Sequence, residues 1–196
     1  MTARRDDFWI PSPEDVRDEI HRLKTRGRFN QALKSTLATV IVVAALAVLI
    51  AAIFLPVLRV TGPSMEPNFN PGDILVTLKT SKFDRGEVCA FYYNNKLIIK
   101  RVIAFGGETV EISEGGAISV NGRKLNEPYL QSRAFGLCDL EFPYEVPVGQ
   151  IFVLGDNRET SVDSRNHEFG CIGTEEVLGK VFLRVLPLNA IQFYGF

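Results

Sequence analysis

The sequence predicts a mainly β domain, a barrel or a folded sheet, carried outside a membrane on one N-terminal transmembrane helix. Three observations lead there. Between Lys34 and Arg59 lie 24 residues without a charge, "STLATVIVVAALAVLIAAIFLPVL". From residue 73 the chain turns into short runs rich in Val, Ile, Phe and Tyr, set apart by Gly, Asn, Asp and Pro. After residue 60 no long amphipathic helix and no fixed-period repeat is visible. A chain of 196 residues has room for one domain of ordinary size beside an anchor, and 46% hydrophobic with 23% charged residues is a globular composition.

The first segment, residues 1–34, is expected in the cytoplasm. In "SPEDVRDEIHRL" Ser12 suits a helix N-cap, Pro13 the first helical position, and Glu14 and Asp15 the positive end of the helix dipole. That helix is predicted to run to about Leu23 and to break at Gly27. The apolar run follows, residues 35–58; as a helix it would measure about 36 Å, enough to cross a hydrocarbon core of about 30 Å. A cleaved secretory signal is the rival, but its apolar region would be about 7 to 15 residues long and close to the terminus. This run is longer and starts after 34 residues, so it reads as a retained anchor. Lys and Arg bind anionic lipid and resist translocation. Arg17, Arg22, Lys24, Arg26, Arg28 and Lys34 precede the run, whereas only Arg59 stands immediately after it. The N-terminus is therefore predicted inside and residues 59–196 outside, in a single-pass protein of the cell membrane with lipid as one partner.

The outer domain is predicted from its strands, "DILVTLK", "EVCAFYY", "KLIIKRVIAF", "TVEIS", "AISVNG", "QIFVLG" and "VLGKVFLRVL". β-Branched and aromatic runs bounded by turn residues are what hairpins require. Gly115, Gly116 and the Asn121 to Gly122 pair suit tight turns with positive φ.

Composition also excludes classes of function. The net charge of −1 argues against nucleic acid as the main partner, since residues 59–196 hold 14 Lys and Arg against 17 Asp and Glu. Two histidines, His21 and His167, lie on opposite sides of the apolar run, which leaves no zinc site. Cys89, Cys138 and Cys171 form no C-x-x-C pair and no disulfide framework; buried free thiols are the plainer reading, one disulfide the alternative.

Three stretches carry candidate chemistry. In "VTGPSMEPNFNPGD", Pro63 and Pro67 fix φ and remove amide donors, so Ser64 sits in a rigid irregular loop. It is six residues from Leu58, which keeps it within roughly 20 Å of the end of the span. A serine nucleophile needs a base. His167, oriented by Asp156 or Asp163, would make a triad. The competing base is Lys100, useless while cationic, whose pKa falls on burial. Alternation in "KLIIKRVIAF" puts Lys100 on one face with Ile98, Val102 and Ala104 and Arg101 on the other with Ile99 and Ile103. Both faces are otherwise apolar, so the strand is predicted buried; an edge strand with Lys100 reaching solvent is the alternative. In "LGDNRETSVDSRNHEFG", an extended backbone from Ser161 would turn Ser161, Asp163 and Arg165 to one side.

Together with two further stretches, these resemble the bacterial type I signal peptidases, membrane-anchored serine proteases with a Ser/Lys dyad. The family's boxes S-M-x-P-T-L, G-D-x-V-x-V, R-G-D-V-V-x-F, K-R-V-I-G-x-P-G-D and G-D-N-R-x-x-S-x-D-S-R stand here as "SMEPNF", "GDILVT", "RGEVCAF", "KRVIAFGGE" and "GDNRETSVDSR". Five boxes in order over residues 60–183, after a single span, resemble the Gram-positive branch.

The resemblance implies that Ser64 is the nucleophile and Lys100 the general base. It implies that Ser161 orients the lysine, that Asp163 and Arg165 brace that region, and that Asp156 and Arg158 do so more loosely. The oxyanion would be held by the Ser64 amide and, in some members, by a hydroxyl two residues earlier; Gly62 stands there and supplies none. Asn68 and Phe69 replace Thr-Leu, and a short variable insert is expected at about 108–148. The implied activity is an endopeptidase that removes N-terminal signal peptides from exported precursors, with no metal or organic cofactor. Phe69, Phe83 and Tyr92 are candidates for contact with lipid. The related self-cleaving repressors need a DNA-binding segment where the span stands, and a non-catalytic homologue that binds exported chains has no need of both Ser64 and Lys100.

Overall fold

A computed structural model describes residues 12–80 and 82–194 of the chain. Residues 1–11, part of the segment assigned to the cytoplasm, lie outside them. The chain divides into two compact units, Met1–Ile50 and Ala51–Phe196.

Helix α1, Pro13–Phe54, supplies the first unit and runs 42 residues. Its start is a capping box. Ser12 Oγ accepts the Asp15 amide at 3.2 Å while Asp15 Oδ2 accepts the Ser12 amide at 3.1 Å. Contrary to the predicted break at Gly27, the helix is continuous. One interior glycine costs about 1 kcal/mol relative to alanine, and the flanking Leu23, Lys24, Arg26, Arg28, Gln31 and Ala32 are good helix formers. At the other end it stops at Phe54, short of the expected Leu58, because Pro56 brings no amide and drives Leu55 out of the α region. The helix is long and apolar enough to cross a membrane, with a mean hydropathy of 3.0 over its most apolar 18 residues. Thr36 and Thr39 return their hydroxyl protons to the carbonyls of Ala32 and Ser35 at 3.0 Å, so neither donor would be left unmet in lipid.

The second unit is built of antiparallel strands. The larger sheet holds β1 (Val57–Arg59), β2 (Ile74–Leu78), β3 (Val88–Tyr93), β4 (Lys96–Phe105), β9 (Gln150–Leu154), β10 (Ile172–Gly173), β11 (Val177–Leu186) and β12 (Gln192–Phe193). Its order is β1-β2-β11-β3-β4-β9-β10, with β12 added to β11, an open folded path rather than a closed barrel. The smaller sheet, ordered β7-β6-β5-β8, takes β5 (Thr109–Ile112), β6 (Ile118–Val120), β7 (Arg123–Lys124) and β8 (Tyr144–Glu145). All seven strand runs of the sequence are strands.

Strand β4 is paired on both sides, with Cys89 opposite Lys100 on β3 and Leu154 opposite Arg101 on β9. The edge-strand alternative for Lys100 therefore fails. Alternation holds through Val102, where a register shift intervenes, and Ala104 joins Ile103 in one apolar cluster with Phe152 and Leu154. A second cluster gathers Leu58, Val60, Met65, Phe69, Leu75 and Ile99 under the loop that follows β1. Met65 and Phe69 are fully buried there, which removes Phe69 from the candidates for lipid contact. Phe83 packs against a third cluster, around Phe91 and Val153, while Tyr92 is exposed. The three cysteines are free thiols.

Candidate active site

The loop from Gly62 to Asn70 is irregular but held. Turns close from the Pro63 carbonyl to the Glu66 amide at 3.1 Å and from the Met65 carbonyl to the Phe69 amide at 2.9 Å. With Met65 and Phe69 buried as two pins, Ser64 stays half-buried at the loop surface. Its carbonyl accepts the Asn157 amide at 3.0 Å. Among the described residues its hydroxyl and its amide have no hydrogen-bond partner.

Lys100 is 3% exposed, and its Nζ donates to Ser161 Oγ at 2.8 Å. Burial lowers its pKa from 10.5 to about 8; the carboxylates of Asp163 and Asp156 oppose that fall and the Arg165 guanidinium adds to it. At pH 7 about one molecule in ten then carries a neutral amine, against one in a few thousand for a lysine in water.

Gly155 joins the serine loop to the lysine. A Cβ on Gly155 would overlap both the Ser64 carbonyl and Ser161 Oγ, so these two groups converge on its Cα. Gly155→Ala must push them apart. The implied peptidase activity is expected to fall about 100-fold, and the strain of overpacking to lower stability by about 1–3 kcal/mol, as measured by an activity assay and thermal unfolding of the same preparation.

Three ion pairs surround this contact. Asp163 meets Arg165 through Oδ1 with Nε at 2.9 Å and Oδ2 with Nη2 at 3.0 Å, and its Oδ2 also accepts the Gly155 amide at 3.0 Å. Asp156 pairs with Arg101, at 2.8 Å to Nε and 2.5 Å to Nη2, rather than with Arg158. Arg158 instead pairs with Glu127 at 2.5 Å and donates through Nε to the Gly155 carbonyl at 3.0 Å. From Ser161 the backbone forms bends and turns and no strand, so the condition of an extended backbone is not met. Ser161, Asp163 and Arg165 are nonetheless all buried, and Ser164 with them, its Oγ accepting the Val153 amide at 3.0 Å.

The triad alternative does not assemble. His167 is exposed, its amide donates to Asp139 Oδ1 at 2.6 Å, and the two carboxylates that would orient it are engaged by arginines.

The family model described as signal peptidase, peptidase S26, matches residues 33–186. The chain belongs to the signal peptidase family. It is 34% identical to signal peptidase I of Bacillus licheniformis over 166 residues, covering 78% of this chain and 88% of the relative. To signal peptidase IB of Staphylococcus aureus strain MRSA252 it is 33% identical over 154 residues, covering 68% and 79%. A crystal structure of a signal peptidase I from Enterococcus faecalis V583 is 32% identical and covers 50% of this chain and 96% of that one, with a TM-score of 0.44.

A signal peptidase is a serine endopeptidase that hydrolyses the bond joining a signal peptide to the protein behind it. In this signal peptidase several contacts around the candidate site were concealed by the sequence. Asn68, noted only as a departure from Thr, ties the serine loop down: Nδ2 donates to Asp156 Oδ2 at 2.8 Å and to the Tyr129 carbonyl at 2.9 Å, and its own carbonyl accepts from Arg184 at 2.8 Å. Gly155 and Asn157 stood inside a quoted box, yet a turn sequence says nothing of which atoms press on it. Glu127 lay in "NEPY", a stretch that resembles an ordinary turn.

Proposed function

We propose that this signal peptidase cleaves its precursors with Ser64 as nucleophile and Lys100 as general base, at the outer face of the cell membrane. The observation that carries the reading is the buried Lys100 amine bonded to Ser161, across Gly155 from the Ser64 loop. A neutral amine has two protons and one lone pair. Giving one proton to Ser161 Oγ leaves the lone pair free to accept from Ser64 when the loop and substrate close the gap.

Ser64 Oγ attacks the scissile carbonyl carbon as its proton passes to Lys100. The new oxyanion takes the unengaged Ser64 amide, with Gly62 beside it. Collapse breaks the C–N bond, Lys100 returns its proton to the leaving amine, and an acyl ester on Ser64 remains. Water, deprotonated by Lys100, hydrolyses that ester. Asp163 with Arg165 and Asp156 with Arg101 fix the surrounding backbone. With Lys100 as base, kcat/KM is expected to rise with pH to a plateau, with an apparent pKa about 8. A profile flat from pH 6 to 9 with chemistry rate-limiting overturns the assignment.

The precursor would lie extended beside the Ser64 loop, which suits a signal peptide whose apolar core is still in the bilayer. Exposed Val57 on β1, Phe193 on β12 and neighbouring Leu188 and Ile191 offer apolar side chains for the lipid surface, and β1 starts three residues after α1. Eight Lys and Arg before the apolar run, six of them from Arg17 to Lys34, support a cytoplasmic N-terminus. In a variant lacking Cys138 and Cys171, Val148→Cys is expected to react with a membrane-impermeant maleimide in intact cells, and Glu14→Cys only after lysis. The reverse pattern overturns the orientation.

A further inference from the structure

One interior carboxylate has no part in the chemistry above. Glu127 is 4% exposed and follows β7 in the connection Asn126–Tyr129. Its Oε1 accepts from Arg158 Nη2 at 2.5 Å and from the Tyr129 hydroxyl at 3.0 Å. Its Oε2 is the one buried side-chain oxygen or nitrogen without a partner among the described residues. A buried carboxylate with an unmet oxygen is a poor way to stabilise a fold. What it secures is geometry.

The chain of contacts leads to the dyad. Glu127 holds the Arg158 guanidinium, whose Nε holds the Gly155 carbonyl at 3.0 Å. From the other side Asp163 holds the Gly155 amide at 3.0 Å. Gly155 is thereby fixed at both of its peptide groups, and its Cα is where the Ser64 carbonyl meets Ser161 Oγ. The same connection reaches the opposite wall of the site. The Tyr129 carbonyl accepts Asn68 Nδ2 of the serine loop at 2.9 Å, and its ring lies 3.9 Å from the guanidinium carbon of Arg101, the neighbour of Lys100.

We propose that Glu127 is a positioning residue for signal-peptide cleavage: through Arg158 it fixes Gly155 and so sets the separation of Ser64 from the Lys100–Ser161 pair. The inference rests on the Ser64 and Lys100 assignment. Glu127 touches no reacting atom, so its loss acts on the chemical step rather than on precursor affinity.

The test is steady-state cleavage of a signal-peptide-bearing precursor by the full chain in detergent micelles. Glu127→Ala is expected to lower kcat about 100-fold with KM little changed. Glu127→Gln keeps one acceptor oxygen at the right distance and is expected to recover about tenfold of that loss. Removing one charge leaves the other buried and alone, so Glu127→Leu combined with Arg158→Met provides a variant without a stranded charge. This paired variant is expected to unfold near the wild-type midpoint and still cleave slowly, no slower than the worse single variant. Wild-type kcat in the folded paired variant, or a rise in KM with kcat unchanged in Glu127→Ala, overturns the proposal. Ser64→Ala measured alongside separates the two readings: if it still cleaves, the dyad assignment fails, and if it is inactive while the Glu127 variants are fully active, only the positioning role fails.

Discussion

Lys100→Met is expected to abolish cleavage and, near neutral pH, to make the protein more stable. The two effects share one cause. An ammonium group is kept away from water in the centre of the larger sheet, and that is what would let it act as the proposed base at usable pH. The folded pKa of about 8 lies below the unfolded 10.5, so between these values the unfolded state holds more protons and stability rises with pH. Below about pH 8 both states are protonated and the full cost of burial is present, on the order of 3 kcal/mol. Methionine fills a similar volume without the charge. Thermal unfolding at pH 7 is expected to show the variant above wild type, with the gap closing as pH rises through about 10. A variant less stable than wild type at pH 7 means that the amine is not strained by burial and has no reason to be a base.

Ser64→Ala is the second large effect, and its signature is the opposite. Cleavage is expected to fall on the order of 10⁴-fold or more, because without the hydroxyl no acyl ester forms. Stability is expected to stay within about 0.5 kcal/mol of wild type, since the half-buried hydroxyl bonds to nothing among the described residues and the loop is pinned by Met65 and Phe69. Unfolding midpoints beside initial rates check both halves. A large loss of stability gives the serine a structural role and weakens the nucleophile assignment.

What the sequence made visible follows from where periodicity and composition carry information. Long runs such as Lys96–Phe105 and Val177–Leu186 announced strands because β-branched residues recur over ten positions. Two-residue strands such as Arg123–Lys124 and Gln192–Phe193 have no period to detect and exist only through their sheet partners. Lys100 was legible as a buried lysine because both faces of its strand are otherwise apolar. Its partner Ser161 came from the family resemblance, as turns and not strand alternation bring it to Lys100. The resemblance grouped Asp163 with Arg165, which do pair, but the partners of Asp156 and Arg158 were not legible. Asp156 and Arg158 are two residues apart, yet one turns to Arg101 on β4 and the other to Glu127 beyond the small sheet. Helix α1 shows the converse error, where a single glycine invited a break that its helix-forming neighbours override.

Single-turnover cleavage of one precursor by wild type, Ser64→Ala, Lys100→Met and His167→Ala, each checked for folding, tests the dyad most directly. Loss of cleavage in the first two variants with full activity in His167→Ala is the expected result. Wild-type rates in either Ser64→Ala or Lys100→Met, or loss of cleavage in folded His167→Ala, contradict it.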